Sequence, residues 1–459
     1  LVQGYASAQL DYKKWLTLNI TGRNERTSTL AKGQNSFFYP SVSLGWIVNE
    51  SLNWNPSWLD YLKIRTSYAQ VGNDASPYSL ATYYSSTTLN GSIQGQTLNF
   101  PFNGLAGSRL TRPLGNVNLK PEQITSYEGG IETWLFRNRI GLDVSVYKNE
   151  SRNQILPVSI PTSTGYSSFT TNAGLIVNKG IEAILTLVPV NTSAFRWSAV
   201  LNFSHNQSMV HSLTGEGSMI SLMSTNGGTQ VIMEGQPFSV IYGRALSTNA
   251  EGKTVIDDRA TINGVPNTNY GFPIPEATPS VIGDPNPLWN AGLRNTFTYK
   301  NFTLSFLFDN RYKFDIYNST QAQMVSNGVS KLTENRYDQI VFEGAGLTSG
   351  KPNDIKVVPG ETWYRSTINY GAMYVEKDLW WIRLRDLNVS YSLPKSVLDR
   401  LKLSELELTF TGRNLLLFTN YSGPDPDVNL RGGFTNGFGS DFFNYPTTKS
   451  YGVSLHASF

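Results

Sequence analysis

The sequence predicts an all-β fold, a transmembrane antiparallel β-barrel with short turns at one end and long loops at the other. Apolar and polar residues alternate along many segments, and these segments are joined alternately by short and by very long connections. The composition is that of strands and turns, with 15% charged residues, 12% aromatic residues, 40 Gly and 24 Tyr. No linker or composition shift divides the 459 residues, so we expect one architecture across residues 1–459.

Period-2 alternation is clearest near the end of the chain. One face carries Tyr451, Val453, Leu455, Ala457 and Phe459, and the other carries Ser450, Gly452, Ser454, His456 and Ser458. The same pattern recurs at residues 140–146, 195–204, 302–309 and 405–411. A soluble β-sandwich also alternates, so this pattern by itself does not indicate a membrane.

The lengths of the connections favour a membrane barrel. Outer-membrane barrels have short periplasmic turns and long extracellular loops, whereas compact soluble domains rarely carry structureless loops beyond about 15 residues. The short links lie at residues 12–14, 49–61, 136–139, 189–195, 299–301 and 393–404. The long polar stretches between them include residues 75–123, 208–288 and 313–378.

Six short turns join about 12 strands and the terminal segment adds one, which gives about 13 strands of the ~10 residues that a tilted membrane strand needs. In an antiparallel sheet with an odd number of strands, the first and last strands run in the same direction. Plugged outer-membrane barrels have about 22 strands. We therefore expect this chain to hold about the last 13 and to lack about nine strands and the plug.

One strand carries an irregularity in its alternation. Ile382 and Leu384 share one parity, whereas Leu387 and Val389 share the other. A β-bulge inserts one extra residue and moves all later side chains to the opposite face. The sequence therefore predicts a bulge near Arg385 or Asp386.

Composition excludes several other classes of protein. No apolar run approaches 18 residues, so a transmembrane helix is not expected, and nothing near Leu1 resembles a signal peptide. Zero cysteines remove disulfides and thiolate metal sites, and a scattered net charge of +3 does not favour nucleic acid. A mean hydropathy of −0.27 is compatible with a barrel, because its lumen and loops are polar.

Candidate catalytic residues are few. His205, His211 and His456 do not have metal-ligand spacing, and no Gly-rich phosphate loop precedes a helix. Glu405 and Glu407 share one face of a strand, where a polar lumen wall explains them better than glycosidase chemistry. We therefore expect a protein that is not an enzyme and that needs no cofactor.

Aromatic and acidic residues provide the candidate binding sites. Tryptophans near turns and strand ends fit interfacial girdles, namely Trp15, Trp46, Trp54, Trp58, Trp134 and Trp197. Aromatic residues in or beside the long loops could stack on sugar rings or line a peptide groove, with loop packing as the alternative; they are Tyr83, Tyr84, Trp363, Tyr364, Tyr374, Trp380 and Trp381. A Pro/Gly-rich loop carries three weak candidates for binding a hard cation, or for simple turn formation: Asp425, Asp427 and Asp441.

Several long phrases resemble the C-terminal half of SusC/RagA-type TonB-dependent outer-membrane transporters, in the same order. They are FYPSVSLGW at 38–46, LKIRTSYAQVGND at 62–74, NLKPE at 118–122 leading into YEGGIE at 127–132, NAG at 172–174 leading into NKGIE at 178–182, IGDPNPLW at 282–289, WIRLRDLNVSYSLP at 381–394 and GRNL at 412–415. The terminal Phe459 resembles the signal that the outer-membrane insertion machinery reads, and its ring also suits a lipid-facing position.

The resemblance implies an outer-membrane importer whose barrel encloses a plug and whose extracellular mouth is closed by a SusD-like lipoprotein. It also implies energy from a TonB-ExbB-ExbD complex acting on the plug. The signal peptide, N-terminal extension, TonB box, plug and early strands of such proteins are not in this sequence, so a longer polypeptide or a second chain would supply them.

Three functions remain open from the sequence. The first is TonB-dependent uptake of oligosaccharides, with oligopeptides as the alternative cargo because the same family serves both. The second is a passive porin with a constant open pore. The third is a soluble secreted all-β binding protein.

Overall fold

One antiparallel sheet organises the molecule. The computed structural model describes residues 1–90, 97–213, 219–427, 429–430 and 439–459. Within these residues, thirteen long strands pair in chain order, each antiparallel to its neighbours. They are β1 (Val2–Tyr12), β2 (Leu16–Arg26), β3 (Ser36–Ile47), β4 (Leu59–Asn73), β5 (Glu122–Leu135), β6 (Ile140–Ser159), β7 (Ser168–Asn191), β8 (Phe195–Ser212), β9 (Trp289–Tyr299), β10 (Phe302–Asn318), β11 (Val375–Ser392), β12 (Glu405–Thr419) and β13 (Ser450–Ser458). The predicted all-β class and the count of about 13 strands are confirmed.

Helices are few and short. They are α1 (Val48–Leu52), α2 (Ser319–Ser326), α3 (Gly360–Ser366) and α4 (Lys395–Leu401), with 3₁₀ turns at Thr162–Thr164, Lys331–Thr333, Thr367–Asn369 and Gly371–Tyr374. No helix of the described residues is both long and apolar enough to cross a membrane.

Short links join the strands at one end of the sheet, as the sequence predicts. Residues 136–139 connect β5 to β6, residues 300–301 connect β9 to β10, and residues 393–404, which include α4, connect β11 to β12. All the long connections lie at the opposite end. This asymmetry is what outer-membrane barrels show.

Apolar side chains on one sheet face pair across the strands. Phe302 lies opposite Tyr391, with ring centroids 4.5 Å apart, and Trp197 lies opposite Phe297, at 5.7 Å. Such cross-strand aromatic pairs stabilise a sheet beyond the backbone hydrogen bonds. The alternation in the sequence therefore produces one apolar face and one polar face.

The predicted bulge lies at Arg385. Leu384 pairs with Phe308 and Asp386 pairs with Leu307, so Arg385 has no partner position on β10. The register with β12 shifts at the same place, between Leu384 and Asp386. The prediction from the broken alternation is confirmed.

The long connections are structured, contrary to the expectation of structureless loops. Residues after β8 form a four-stranded sheet of Met219–Thr225, Gly228–Met233, Val240–Gly243 and Ser280–Gly283. Further short strands lie at Tyr84–Ser86, Thr88–Asn90, Thr97–Asn99, Ser108–Leu110, Pro113–Leu114, Val255–Ile256, Thr261–Ile262, Val265–Pro266, Ala345–Gly346 and Ser440–Asp441. The physical reason is that apolar loop residues are buried: Ile220 and Ile232 pack against the ends of β7 and β8, and Ile241 packs against Tyr317 of β10 and other loop residues.

Three long connections pack together at this end, and we call their described residues between 219 and 288, 319 and 374, and 420 and 449 the loop body. Val255–Ile256 pairs in parallel with Ala345–Gly346. Asp258 accepts hydrogen bonds from the backbone N–H groups of Thr348 (2.9 Å) and Ser349 (2.8 Å). Contacts between residues about 90 apart therefore hold the loops in one arrangement.

Candidate functional site

The polar face of the sheet carries one charged cluster around Arg65 of β4. Its Nη2 donates to Asp143 Oδ1 at 2.5 Å and to Ser145 Oγ at 2.6 Å, both on β6. Its Nε lies 3.8 Å from Glu128 Oε1 on β5. Within this chain the Arg65 side chain is 29% exposed, so it is only partly covered by its neighbours on the sheet.

A second charged cluster surrounds Trp381 of β11. The guanidinium carbons of Arg311, Arg383 and Arg385 lie 5.8, 5.6 and 5.4 Å from the ring centroid of Trp381. Cations at such distances from an indole are attracted by its negative face. Trp381 and Arg383 are buried, whereas the side chains of Arg311 and Arg385 are 25% and 29% exposed.

The bulge places two consecutive side chains on the polar face. Arg385 Nη2 donates to Asp309 Oδ2 at 2.7 Å, and Asp386 Oδ2 accepts from Arg294 Nη2 at 2.8 Å. Arg294 also donates to Ser305 Oγ. Ser305 and Asp309 are four residues apart on β10, so both lie on the polar face. Without the extra residue, Arg385 and Asp386 would point to opposite faces.

Asp425 of the loop body forms a buried ion pair with Arg383. Its Oδ1 lies 2.5 Å from Arg383 Nη2, and its Oδ2 accepts from the backbone N–H of Thr447 at 3.0 Å. Burial raises the pKa of Asp425, but the hydrogen bonds from Thr447, Asp427 and Arg383 lower it by more. Asp425 therefore stays ionised and ties its loop to the barrel wall.

The other two acidic candidates also bind protein donors. Asp427 Oδ2 accepts from Arg385 Nη2 at 2.9 Å, and Asp441 Oδ2 accepts from the Tyr421 hydroxyl at 2.8 Å. No group of three or more acidic or histidine side chains placed to hold a metal occurs in the described residues. In the structure these carboxylates accept hydrogen bonds from protein donors, and cation binding by Asp425, Asp427 and Asp441 stays a weak prediction.

A groove of about 500 Å³ runs along the polar face between the two clusters. Arg65 and Asp143 lie at one end of it, and Asp309 lies at the other. The lining between them includes the polar residues Ser145, Glu182, Asn202, Ser204 and Asn290 and the apolar residues Ala183, Ile184, Phe203, Ala291 and Leu307. Carboxylate, amide, hydroxyl and guanidinium groups together can both donate and accept hydrogen bonds to a polyhydroxylated ligand.

A cavity of about 970 Å³ lies within the loop body, beside α2 and α3. Three of the predicted loop aromatics line it, namely Trp363, Tyr364 and Tyr374. The remaining lining is largely apolar and includes Met324, Val325, Leu332, Phe342 and Met373, with Lys331, Glu343 and Glu376 as its charged members. Its size falls within the range of pockets for small ligands, ~300–1,000 Å³.

Comparison with known proteins decides the family. A family model described as TonB dependent receptor-like, beta-barrel, matches residues 2–415. The chain belongs to this family. TonB-dependent receptors of this family are outer-membrane proteins, so the predicted localisation and the resemblance to SusC/RagA-type members are confirmed.

Curated TonB-dependent receptors align with nearly the whole chain. TonB-dependent receptor P3 of Formosa agariphila is 26% identical over 100% of the chain and 45% of the receptor's own length. TonB-dependent receptor SusC of Bacteroides thetaiotaomicron is 22% identical over 96% of the chain and 42% of its own length. The chain therefore spans less than half the length of these receptors, which are not enzymes.

Solved structures show the same fold. The RagAB peptide importer in its closed-closed state superimposes with a TM-score of 0.74 at 18% identity, and covers 100% of this chain and 47% of the compared chain. The open-open state gives a TM-score of 0.73, also at 18% identity, with 100% and 46% covered. At this identity the likeness establishes the TonB-dependent receptor fold.

The structure buries three of the seven aromatic residues predicted to be available for ligand stacking. Trp363 is 8% exposed, Tyr374 is 6% exposed and Trp381 is 2% exposed. Trp363 packs against Phe272 and Phe342, with ring centroids 5.4 and 5.0 Å apart. Trp363 and Tyr374 are covered where the long loops pack together, and both also line the loop cavity. Trp381 packs against Phe314 and Ile316 of β10 and Tyr421 of the loop body.

The other four predicted aromatic residues are at least partly open. Tyr83 and Tyr84 are exposed in the connection between β4 and β5, and Tyr364 is half-buried at the loop cavity. Trp380 is half-buried and, like Trp381, lies inside β11 rather than in a loop. Adjacent strand residues point to opposite faces, so Trp380 lies on the apolar face.

Aromatic residues at the short-link end fit the predicted girdle. Trp54 and Trp58 are exposed and contact each other edge to face, with centroids 5.8 Å apart. Phe459 follows β13 and is 97% exposed. Its function as an insertion signal stays a prediction.

Sequence reasoning did not single out the charged residues of the lumen wall. Arg65, Asp143, Asp309 and Arg383 all occupy polar positions of alternating strands. Arg65 pairs with Asp143 across the intervening strand β5, and Arg383 pairs with Asp425 of the loop body. Finding them requires the register, which a single sequence does not show.

Proposed function

We propose that this chain forms the C-terminal part of the barrel of a TonB-dependent importer of oligosaccharides. The remaining strands and the plug, in the same or a second polypeptide, complete the barrel. A TonB-ExbB-ExbD complex supplies energy through the plug, and a SusD-like surface lipoprotein closes the extracellular mouth. The sequence resemblance to SusC/RagA-type transporters supports both partners.

The observation that carries the oligosaccharide proposal is the groove on the polar sheet face. Along its ~500 Å³ it presents carboxylates, amides, hydroxyls and one guanidinium. Neighbouring sugar hydroxyls each donate and accept hydrogen bonds, so a ligand rich in them finds a partner at each of these polar groups, which alternate with apolar side chains such as Ile184 and Phe203. Arg65 remains partly exposed and is the donor best placed to bind such a ligand.

The experiment is to purify the full-length protein with its lipoprotein from native membranes and to identify the bound ligand by mass spectrometry. A co-purified glycan supports the proposal, and loss of that glycan from an Asp309→Asn, Asn290→Ala variant assigns it to the groove. A bound peptide in place of a glycan would overturn the substrate class. Steady ion conductance of the full-length protein in a bilayer without TonB would instead favour a passive porin.

Oligopeptide uptake is the second candidate, and the loop cavity favours it. Met324, Leu332, Phe342 and Met373 give the cavity an apolar lining that suits amino-acid side chains better than sugar hydroxyls. In an uptake assay with the full-length protein, a Met373→Asp substitution at the cavity should reduce peptide import and leave glycan import unchanged. Equal loss of both cargoes would show that the substitution disturbs the loop body itself.

A further inference from the structure

The short links between strands form a strongly basic rim. We call residues 13–15, 48–58, 136–139, 192–194, 300–301 and 393–404 the short-turn rim. Its two acidic residues are Glu50 and Asp399, and its basic residues are all exposed: Lys13, Lys14, Arg137, Arg139, Lys300, Lys395, Arg400 and Lys402. Net charge at this end is therefore clearly positive, although the chain as a whole is nearly neutral.

Basic residues of the rim are free of acidic partners. Across the described residues, the Lys and Arg ion pairs lie on the sheet face or in the loops, and none involves a basic residue of the rim. Nearby acids bind other groups: Asp11 accepts from Thr17 at 2.7 Å, and Asp60 accepts from the backbone N–H of Asn138 at 2.9 Å. The rim thus presents unneutralised positive charge to its surroundings.

Five of these cations occupy strained backbone positions. Lys13, Lys14, Arg137, Lys300 and Lys402 have φ of 49°, 63°, 60°, 51° and 55°. Glycine or asparagine adopts this left-handed conformation at lower energetic cost, and the rim uses asparagine at Asn53 and Asn138. Phe136, an uncharged residue of the rim, has the same conformation with φ of 57°, so the strain is a property of the turns, whereas the charge is notable for its exposure and its lack of acidic partners.

Aromatic rings accompany the cations. Lys13 Nζ lies 5.3 Å from the ring centroid of Tyr12, and Lys300 Nζ lies 5.5 Å from that of Tyr299. Both tyrosines are exposed, as are Trp54 and Phe136. Amphipathic rings settle at the depth of the lipid headgroups, so the neighbouring cations reach the phosphate layer.

We propose that the short-turn rim binds the phosphate groups of anionic phospholipids in the periplasmic leaflet of the outer membrane. The rim lies at the periplasmic end of the barrel, at the height of the aromatic girdle. Unpaired cations at a membrane surface attract anionic lipid additively, and salt weakens the attraction. Binding there fixes the depth and tilt of the barrel in the membrane.

The test compares lipid dependence of thermal unfolding for the full-length protein in nanodiscs of phosphatidylcholine with and without phosphatidylglycerol. The rim variant carries K13N, K14N, R137N, K300N and K402N. A control variant with the same loss of charge carries K32N, R109N, K253N, K351N and K356N, all exposed and outside the rim. Native mass spectrometry of detergent-solubilised protein counts the lipids retained.

In phosphatidylglycerol the wild type and the control should unfold at a higher temperature than in phosphatidylcholine, and the rim variant should lose that increase. Retained phosphatidylglycerol should fall on the order of tenfold in the rim variant. In phosphatidylcholine the rim variant should be as stable as the wild type or more stable, because asparagine relieves the backbone strain.

Three results would overturn the proposal. An equal loss of lipid dependence in the control would show a bulk charge effect. Stabilisation of the wild type in phosphatidylcholine by inorganic phosphate, to the same extent as by phosphatidylglycerol, would show an ion site rather than a lipid surface. A rim variant that keeps the full effect of phosphatidylglycerol would show that the cations do not bind it.

Discussion

Arg65 and Arg383 are both arginines of the polar sheet face, and each lies 2.5 Å from an aspartate. Their side chains differ in exposure, at 29% for Arg65 and 2% for Arg383. Loop residues cover Arg383, whereas nothing in the described residues covers Arg65 in this way. The comparison teaches that exposure, more than the type of contact, decides whether such an arginine anchors a loop or remains available to a ligand.

Removing one partner of the buried pair should have the largest effect. Arg383→Ala leaves Asp425 as a buried, unpaired charge, which should cost about 3–5 kcal/mol of unfolding free energy. Urea-induced unfolding in liposomes measures this loss. The matched control is Arg294→Ala, because Arg294 pairs with Asp386 on the same face but is 40% exposed. Equal losses in the two variants would remove the distinction between covered and open pairs.

A smaller loss should follow from removing one hydroxyl group at the loop anchor. Tyr421→Phe deletes the 2.8 Å hydrogen bond to the buried Asp441 and leaves a 3.3 Å contact with Thr320. The expected cost is about 1–3 kcal/mol, because the carboxylate loses a donor that water cannot replace. Limited proteolysis within residues 420–449 should show faster cleavage than in the wild type. An unchanged cleavage rate would mean that Asp441 does not hold the loop.

Substitution of the open arginine should affect ligand binding more than stability. Arg65→Gln should change the unfolding free energy by less than about 1 kcal/mol, since exposed ion pairs contribute little. Affinity of the full-length protein for its co-purified ligand should fall, measured by calorimetry after purification of that ligand. A large loss of stability with unchanged affinity would assign Arg65 to structure rather than to binding.

The smallest effect should be a pH dependence of the loop anchor. The pKa of Asp425 lies below its ordinary value, because hydrogen bonds to its ionised form outweigh burial. A depressed pKa contributes stability that is complete above the unfolded value of about 3.9 and is lost as the pH falls through the lower folded value. Hydrogen exchange in residues 420–427 should therefore stay constant from pH 7 to 5, after correction for intrinsic rates, and rise below about pH 4. Asp425→Asn should remove that rise.

Much of the barrel sheet, namely its long strands and the short links between them, was predictable from local sequence patterns. A strand of period 2 needs only its own residues to separate an apolar from a polar face, and turns are short-range features. The links at residues 136–139 and 393–404 and the bulge at Arg385 therefore agree with the sequence-based predictions. The bulge was visible because one extra residue reverses the alternation of everything after it.

Loop packing was not predictable in the same way. Trp363 meets Phe272 and Phe342, and Asp258 meets Ser349, across separations of 21 to 91 residues. Sequence periodicity does not predict contacts between residues so far apart. The burial of three candidate ligand-binding rings, Trp363, Tyr374 and Trp381, was therefore not foreseen. The acidic residues Asp425 and Asp427 likewise acquired arginine partners from β11 that only the folded chain brings near.

The sequence by itself determined the strands, their faces, the asymmetry of turns and loops, and the resemblance to SusC/RagA-type transporters, because these depend on neighbouring residues and on the order of motifs. Only the tertiary structure decided which polar groups are open. Burial depends on what covers a side chain, and for Arg383 the cover includes Asp425 and Thr447 of a loop distant in sequence, whereas no described loop residue covers Arg65 in this way.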